Sequence, residues 1–411
     1  MPTTNQPTTP VRIDRRGFIA AGAAAAAAFT ILPASTVRSA EANSKIQLGL
    51  IGCGGRGKWI AKLFPQHAPC EFVAVHDYFQ DRADDVGEML HVPAERRFTG
   101  LDGYLKLLDQ KLDGVVIISP PYFHPEQVVA ALDRGRHVYL AKPIAVDVPG
   151  ALAITSAAKK AQGKLSVLVD FQTRTTDFYQ QAIQKVHEGI IGKPVCGQSY
   201  YHSGRLGKQA NGDSPMARLR NWVFDTALSG DIIVEQNIHV LDVANWAIGA
   251  HPVKAVGTGG RRVRTDVGDC WDHYVVTYTY PNDVLIDFSS TQFLYGFDDL
   301  CTRIFCETGT LDTHYGGMVN IRGKSGGYRG GITQNIYEKG AVANIQNWVA
   351  SIQNNKPLNN AQESADSTLT CILGRTATRA NRPVTWDEML QANEKIDAKL
   401  TLPKDGPTWR S

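Results

Sequence analysis

The chain has 411 residues, a formal net charge of +3, 43% hydrophobic and 20% charged residues. That length allows two domains with sizeable cores, since single cores stop growing at about 250 to 300 residues. So small a positive charge, with no lysine- or arginine-rich run, speaks against nucleic acid and anionic membranes as partners, and after residue 40 no apolar run is long enough for stable membrane insertion. The seven cysteines, at 53, 70, 196, 270, 301, 306 and 371, are an odd number without a C-x-x-C pair. This argues against a zinc cluster or a disulfide framework, and no metal site is expected.

Residues 1–42 read as an address. Asp14-Arg15-Arg16-Gly17-Phe18-Ile19 precedes an alanine-dominated stretch, 20–32, and resembles a twin-arginine export signal, with cleavage expected after Ala42. The expected location is the bacterial periplasm.

Residues 46–51 form a short run rich in branched side chains that breaks at once into Gly52, Gly54 and Gly57, a strand entering a G-x-G-x-x-G turn. Such a turn bends sharply at its first glycine, admits a pyrophosphate at its second and lets the next helix approach the strand at its third. Gly55 and Arg56 fall at the helix N-terminus, where free N–H groups meet phosphates. A second strand, 71–75, ends at His76-Asp77, and an acid there accepts from the ribose hydroxyls and repels a 2′-phosphate, so NAD is expected over NADP.

Strands and helices then alternate. A strand at 114–118 stops at Ser119-Pro120-Pro121-Tyr122-Phe123-His124, one at 137–140 at Ala141-Lys142-Pro143, and one at 165–171 at Gln172. Alternation at this spacing predicts a parallel sheet with right-handed crossovers and a ligand cleft beyond its carboxyl ends. The expected Rossmann domain covers 43–172. From 173 to 411 the pattern becomes that of an α+β domain with a largely antiparallel sheet: helices at 178–188 and 231–248, strands at 194–202, 274–280, 284–290, 302–307 and 309–313, a polar loop at 205–221, a glycine-rich stretch at 315–331 that is either a mobile loop at the cleft mouth or a solvated connection, and two closing helices at 343–354 and 363–375 that can pack back on the first domain.

On the helix expected at 231–248, Glu235, His239, Asp242 and Trp246 share one face. Two acids and a histidine inside an apolar helix are costly unless they are paired or line a cavity. Strand–GxGxxG, Ser-Pro-Pro-x-x-His, a strand ending in Lys-Pro, and an acid-x-x-x-His helix in a second domain together resemble the Gfo/Idh/MocA oxidoreductases. The resemblance covers nearly the whole chain from residue 45 and implies that Lys142, Glu235 and His239 are catalytic. This chain departs from the family pattern in carrying Ala141 before the lysine, and Glu235 where inositol dehydrogenase has aspartate.

The reaction so implied moves a hydride from a carbinol carbon of a sugar, sugar alcohol or glycoside to NAD. It needs a base for the hydroxyl proton, and His239 suits that role, with Glu235 orienting it or binding a neighbouring hydroxyl. Lys142, with its pKa lowered near a nicotinamide, can stabilise the alkoxide or take the proton itself. Tyr122 and His124 are expected beside the nicotinamide. Arg174, Tyr201, His202, Arg218, Arg220, Asn221 and Trp222 are candidates for holding a polyhydroxylated substrate, Trp222 as a stacking plane. Glycoside cleavage through transient oxidation, and a non-catalytic sugar-binding protein, are the alternatives. A homodimer or homotetramer is expected.

Overall fold

The computed structural model describes residues 45–407. The export-signal reading, residues 1–42, lies outside them. Among the described residues no helix is long and apolar enough to cross a membrane.

The first half is a doubly wound sheet. Strands β1 (Ile46–Ile51), β2 (Cys70–His76), β3 (Arg97–Phe98), β4 (Gly114–Ile117), β5 (His137–Leu140) and β6 (Val167–Val169) lie in the order β3-β2-β1-β4-β5-β6, all parallel. Period-two alternation decides which helix each strand residue meets. Leu48, Leu50, Val75, Val116 and Tyr139 pack on α1 (Gly55–His67), whereas Ile51, Ala74, Val115, Ile117, Val138 and Leu140 face α2 (Gly103–Leu108), α3 (His124–Asp133) and α4 (Val148–Lys160). Both faces are covered, which is why these strands read as unbroken apolar runs.

Two glycines in the first turn are dictated by sterics alone. Gly52 has φ +95°, and a Cβ on Gly57 would stand 1.9 Å from the Gly52 carbonyl oxygen. Gly55 has open space around its would-be Cβ. Gly57→Ala is therefore expected to destabilise the fold by at least about 2 kcal/mol and to weaken nucleotide binding, while Gly55→Ala leaves the melting temperature unchanged. Thermal unfolding of both variants with and without NAD checks this, and equal behaviour would refute it.

The second half builds a nine-stranded sheet: β7 (Pro194–Ser203), β8 (Lys254–Gly260), β9 (His273–Thr279), β10 (Leu285–Gln292), β11 (Asp299–Cys306), β12 (Gly309–His314), β13 (Met318–Gly323), β14 (Gly327–Ile332) and β15 (Val384–Thr385). Their order is β14-β13-β12-β11-β7-β10-β9-β8-β15, antiparallel except for β7 beside β10. Helix α5 (Asp177–His187) lays Tyr179, Ala182, Ile183 and Val186, at i, i+3, i+4 and i+7, on one face. Later helices also pack on that face, while on the other Val256, Val275 and Leu285 are 40–49% exposed. The next-to-last long helix, Ile336–Gln353, returns to the first sheet and seats Trp348 edge-on against Phe64 and Tyr139.

Three expectations are corrected here. Residues 231–248 are not one helix: Ile232–Glu235 and Ile238–Ile248 are separated at Gln236–Asn237, and Asp231 enters with φ +80°. The supposed mobile loop at 315–331 contains the paired strands β13 and β14. The polar loop at 205–221 holds a helix, Pro215–Arg220, capped by the Ser214 hydroxyl.

Candidate active site

The G-x-G-x-x-G turn opens onto a cleft lined by Gly52, Gly54, Asp77, Ser119 and Pro120, with Tyr78, Phe79, Arg82, Phe123 and Trp222 around them. Helix α1 starts with no side-chain cap and no acid in its first turn, so its N–H groups and dipole are free for an anion. The Asp77 carboxylate is held by the N–H groups of Cys53 (2.8 Å) and Phe79 (3.0 Å), one on each oxygen. Each oxygen keeps lone-pair capacity for a ribose hydroxyl. This donor set fits a dinucleotide, and the acid among it suits NAD better than NADP.

At the end of β5, separated from β1 by β4, Lys142 is nearly buried. Its ammonium donates to the Glu235 carboxylate at 3.0 Å and to the Glu235 backbone carbonyl. The helix break is what makes this possible: it turns both the carbonyl and the carboxylate of Glu235 toward β5. His239 opens the next helix, tilted against the Tyr315 ring at 5.3 Å. Its Nδ1 is buried without a hydrogen-bond partner, leaving Nε2 as the ring atom able to meet a ligand. Burial, then the charges of Lys142 and Arg56, hold the His239 pKa well below 6.5, so the imidazole is neutral at physiological pH. The expected Glu235–His239 orientation is corrected: Glu235 holds Lys142 instead.

Other candidates have different partners from those expected. The Arg56 guanidinium leaves the phosphate turn to pair with buried Asp170 and the Tyr337 hydroxyl (2.5 Å), since an unpaired Asp170 there would be costly. His124 is fully buried, its ring nitrogens 2.8 Å from the Ser119 carbonyl and 2.9 Å from that of Pro143. Burial pulls its pKa down to about 4. It ties the loops after β4 and β5 together. The Tyr122 hydroxyl accepts from Ala398 N–H (3.5 Å) in the C-terminal segment. Arg174 is clamped by Asp242 (2.8–3.2 Å) beneath Trp246, so two members of the expected stripe, Asp242 and Trp246, join an arginine from outside it in a structural lock.

Among the expected substrate contacts, Tyr201 stays close to the cluster, its phenol pKa raised by burial and by the charge of Glu235. His202, the next residue on β7, points to the opposite sheet face and stacks on Tyr200. Arg218 and Asn221 line a separate cavity, where Arg218 pairs with Asp225 (2.5 Å). Arg220 pairs with Asp81 and covers the Phe79 ring, and Trp222 lines the cleft at the phosphate turn.

Several residues escaped the sequence reading. Tyr315 and Tyr337 reach the cleft from β12's far end and from the returning helix, and Arg82 stands over the Phe79 ring at the nucleotide cavity. Asn237, wholly buried in the helix break between Glu235 and His239, leaves both amide atoms unpartnered. Only Arg82 carried a signal, its place just after the acid of β2.

Known proteins agree with this architecture. A model described as an oxidoreductase family with an NAD-binding Rossmann fold matches residues 46–169, and one for the GFO/IDH/MocA C-terminal domain matches 179–312, together more than half of the chain. The scyllo-inositol 2-dehydrogenase (NAD(+)) of Bacillus subtilis is 25% identical over 216 residues, 52% of this chain and 57% of that enzyme. Inositol 2-dehydrogenase 3 of Saccharopolyspora erythraea is 27% identical over 314 residues, 75% of this chain and 85% of the relative. Apo scyllo-inositol dehydrogenase from Lactobacillus casei shares the fold, with a TM-score of 0.67 at 20% identity, over 84% of this chain and 98% of that one. With a phosphate turn, an acid after β2 and matches to both halves of the architecture, the chain belongs to the Gfo/Idh/MocA oxidoreductase family.

Proposed function

We propose that the protein oxidises a secondary alcohol of a polyol or sugar, with Lys142, Glu235 and His239 as its catalytic group. The observation that carries this reading is a strand-end ammonium of the nucleotide domain bound to Glu235, four residues before an imidazole of the second domain that its charge helps to keep neutral. NAD bound along Gly52–Gly57 and Asp77 supplies the hydride acceptor. His239 Nε2 takes the hydroxyl proton, and Lys142 Nζ donates a hydrogen bond to the same oxygen as negative charge develops on it. Glu235 fixes the ammonium and keeps its charge from being wholly uncompensated. Tyr201 and Tyr315 are polar groups at hand for further hydroxyls.

The twin-arginine-like leader suggests export of the folded holoprotein, and a periplasm offers no pool of free nicotinamide. The cofactor is accordingly tightly held, reduced by one substrate and reoxidised by another. The exposed face of the nine-stranded sheet, with Val256, Val275 and Leu285 uncovered, suits a homodimer or homotetramer. To test the reading, purified protein is denatured and the released nucleotide identified by mass, and the intact protein is challenged with a panel of inositols and sugars while nicotinamide absorbance is followed. Stoichiometric NAD and reduction by at least one polyol are expected. Nucleotide-free protein that reduces added NAD with none of them would overturn it.

A further inference from the structure

We propose that Cys301, Asp312 and His314 form a binding site for a zinc-class divalent cation, on the sheet face opposite the catalytic cleft. Strand register builds it. Cys301 on β11 is the direct cross-strand partner of His314 on β12, and Asp312 lies two residues before His314, opposite Arg303. Thr302 and Thr313 point to the helix side, where the Thr302 hydroxyl donates to the Val240 carbonyl (2.8 Å) and the Thr313 hydroxyl to that of Thr302 (2.8 Å). Their alternating neighbours Cys301, Asp312 and His314 therefore share the other face.

The three donor atoms lie within 4.8 Å of one another. His314 Nε2 is 3.4 Å from Asp312 Oδ1, and Cys301 Sγ is 3.9 Å from that same oxygen. Donors on a tetrahedral ion with bonds of 2.0 to 2.3 Å stand roughly 3.5 Å apart, so only small side-chain rotations are needed. The imidazole is already aimed: its Nδ1 donates to Asp299 Oδ1 at 2.8 Å, the carboxylate–histidine arrangement that fixes the tautomer of metal ligands. A dication together with Arg303, which donates to Asp312 at 2.9 Å, balances a thiolate and two carboxylates.

Thiolate, imidazole and carboxylate suit zinc or cobalt and not magnesium. On binding, the Cys301 thiol proton and any proton on His314 Nε2 pass to solvent, and no redox step is involved. The side chains of His314 and Asp312 are 23% and 25% exposed, which gives the ion a route in and leaves its fourth position to water. The absence of a C-x-x-C pair concealed the site because its ligands come from two strands, separated by a turn.

The test uses the full-length protein, stripped with chelator and then given Zn²⁺, Co²⁺ or Mg²⁺. Expected are one tightly held zinc per chain after gel filtration, a thiolate-to-metal absorption band with Co²⁺, a zinc-dependent rise in melting temperature, and no response to Mg²⁺. Cys301→Ser, nearly isosteric, should abolish the cobalt band and the thermal shift while leaving oxidoreductase turnover unchanged. Asp299→Asn should weaken zinc roughly 10- to 100-fold. Substoichiometric zinc, a cobalt spectrum without the thiolate band, or Cys301→Ser protein that binds zinc as the wild type does would each overturn the proposal.

Discussion

Replacing Lys142 with methionine is expected to lower kcat about 10²- to 10³-fold while nucleotide content stays the same. The size follows from removing one preorganised donor aimed at developing negative charge. Retention of the nucleotide follows because Lys142 does not line the cavity at the phosphate turn. The variant also strands the Glu235 carboxylate, whose side chain is only 14% exposed, without its cation. Loss of a buried partner is costly, so the single variant should also be destabilised. Glu235→Gln in the same chain removes the orphaned charge. The double variant should therefore regain stability without regaining turnover, a split read by pairing unfolding curves with steady-state rates. Recovery of turnover along with stability would mean that Lys142 acts only through the fold.

The first sheet was legible because physics repeats itself there. Each strand is buried on both faces and so appears as an apolar run, and each run stops at a residue with a task, Gly52, Asp77, Ser119 or Lys142. Sterics fix Gly52 and Gly57 irrespective of any ligand. The nucleotide preference rests on one acid at one strand end. Those are local properties, and local sequence carries them.

What was not legible depends on partners far along the chain. Residues 232–248 contain neither proline nor glycine, and their apolar spacing fits a single helix. The break at Gln236–Asn237 is held from outside, by the Gln292 amide donating to Gln236 Oε1 (2.8 Å) and by Lys142 drawing in the Glu235 carbonyl. The glycines of 326–331 look like a flexible loop but serve close packing: a Cβ on Gly331 would stand 2.7 Å from the Phe178 ring, and one on Gly330 would stand 2.6 Å from the Val319 carbonyl oxygen. Arg174, Arg218 and Arg220 resembled substrate contacts because their acids, Asp242, Asp225 and Asp81, are chosen by tertiary structure. The sequence shows a charge; only the fold shows whether it is already neutralised.

His239→Gln is expected to lower kcat/KM about 10²- to 10⁴-fold, the range for loss of a positioned base. Its pH signature separates this role from packing. Burial, reinforced by Lys142 and Arg56, holds the imidazole pKa well below 6.5, so the neutral form persists as pH falls through 6.5. Wild-type kcat/KM should thus stay level on that descent and drop only at lower pH, where the ring finally protonates. The same shift has a stability counterpart: below the unfolded-state pKa the unfolded chain binds a proton that the native chain refuses, so His239 makes stability fall with falling pH, and His239→Gln removes that part of the slope. Arg56→Gln takes away one of the two charges named. It should move the acid limb of the rate profile upward toward 6.5, whereas Arg56→Lys, which keeps the charge, should leave it near the wild-type position. An acid limb that ignores Arg56→Gln and survives His239→Gln would assign the titrating base to another group in the cleft.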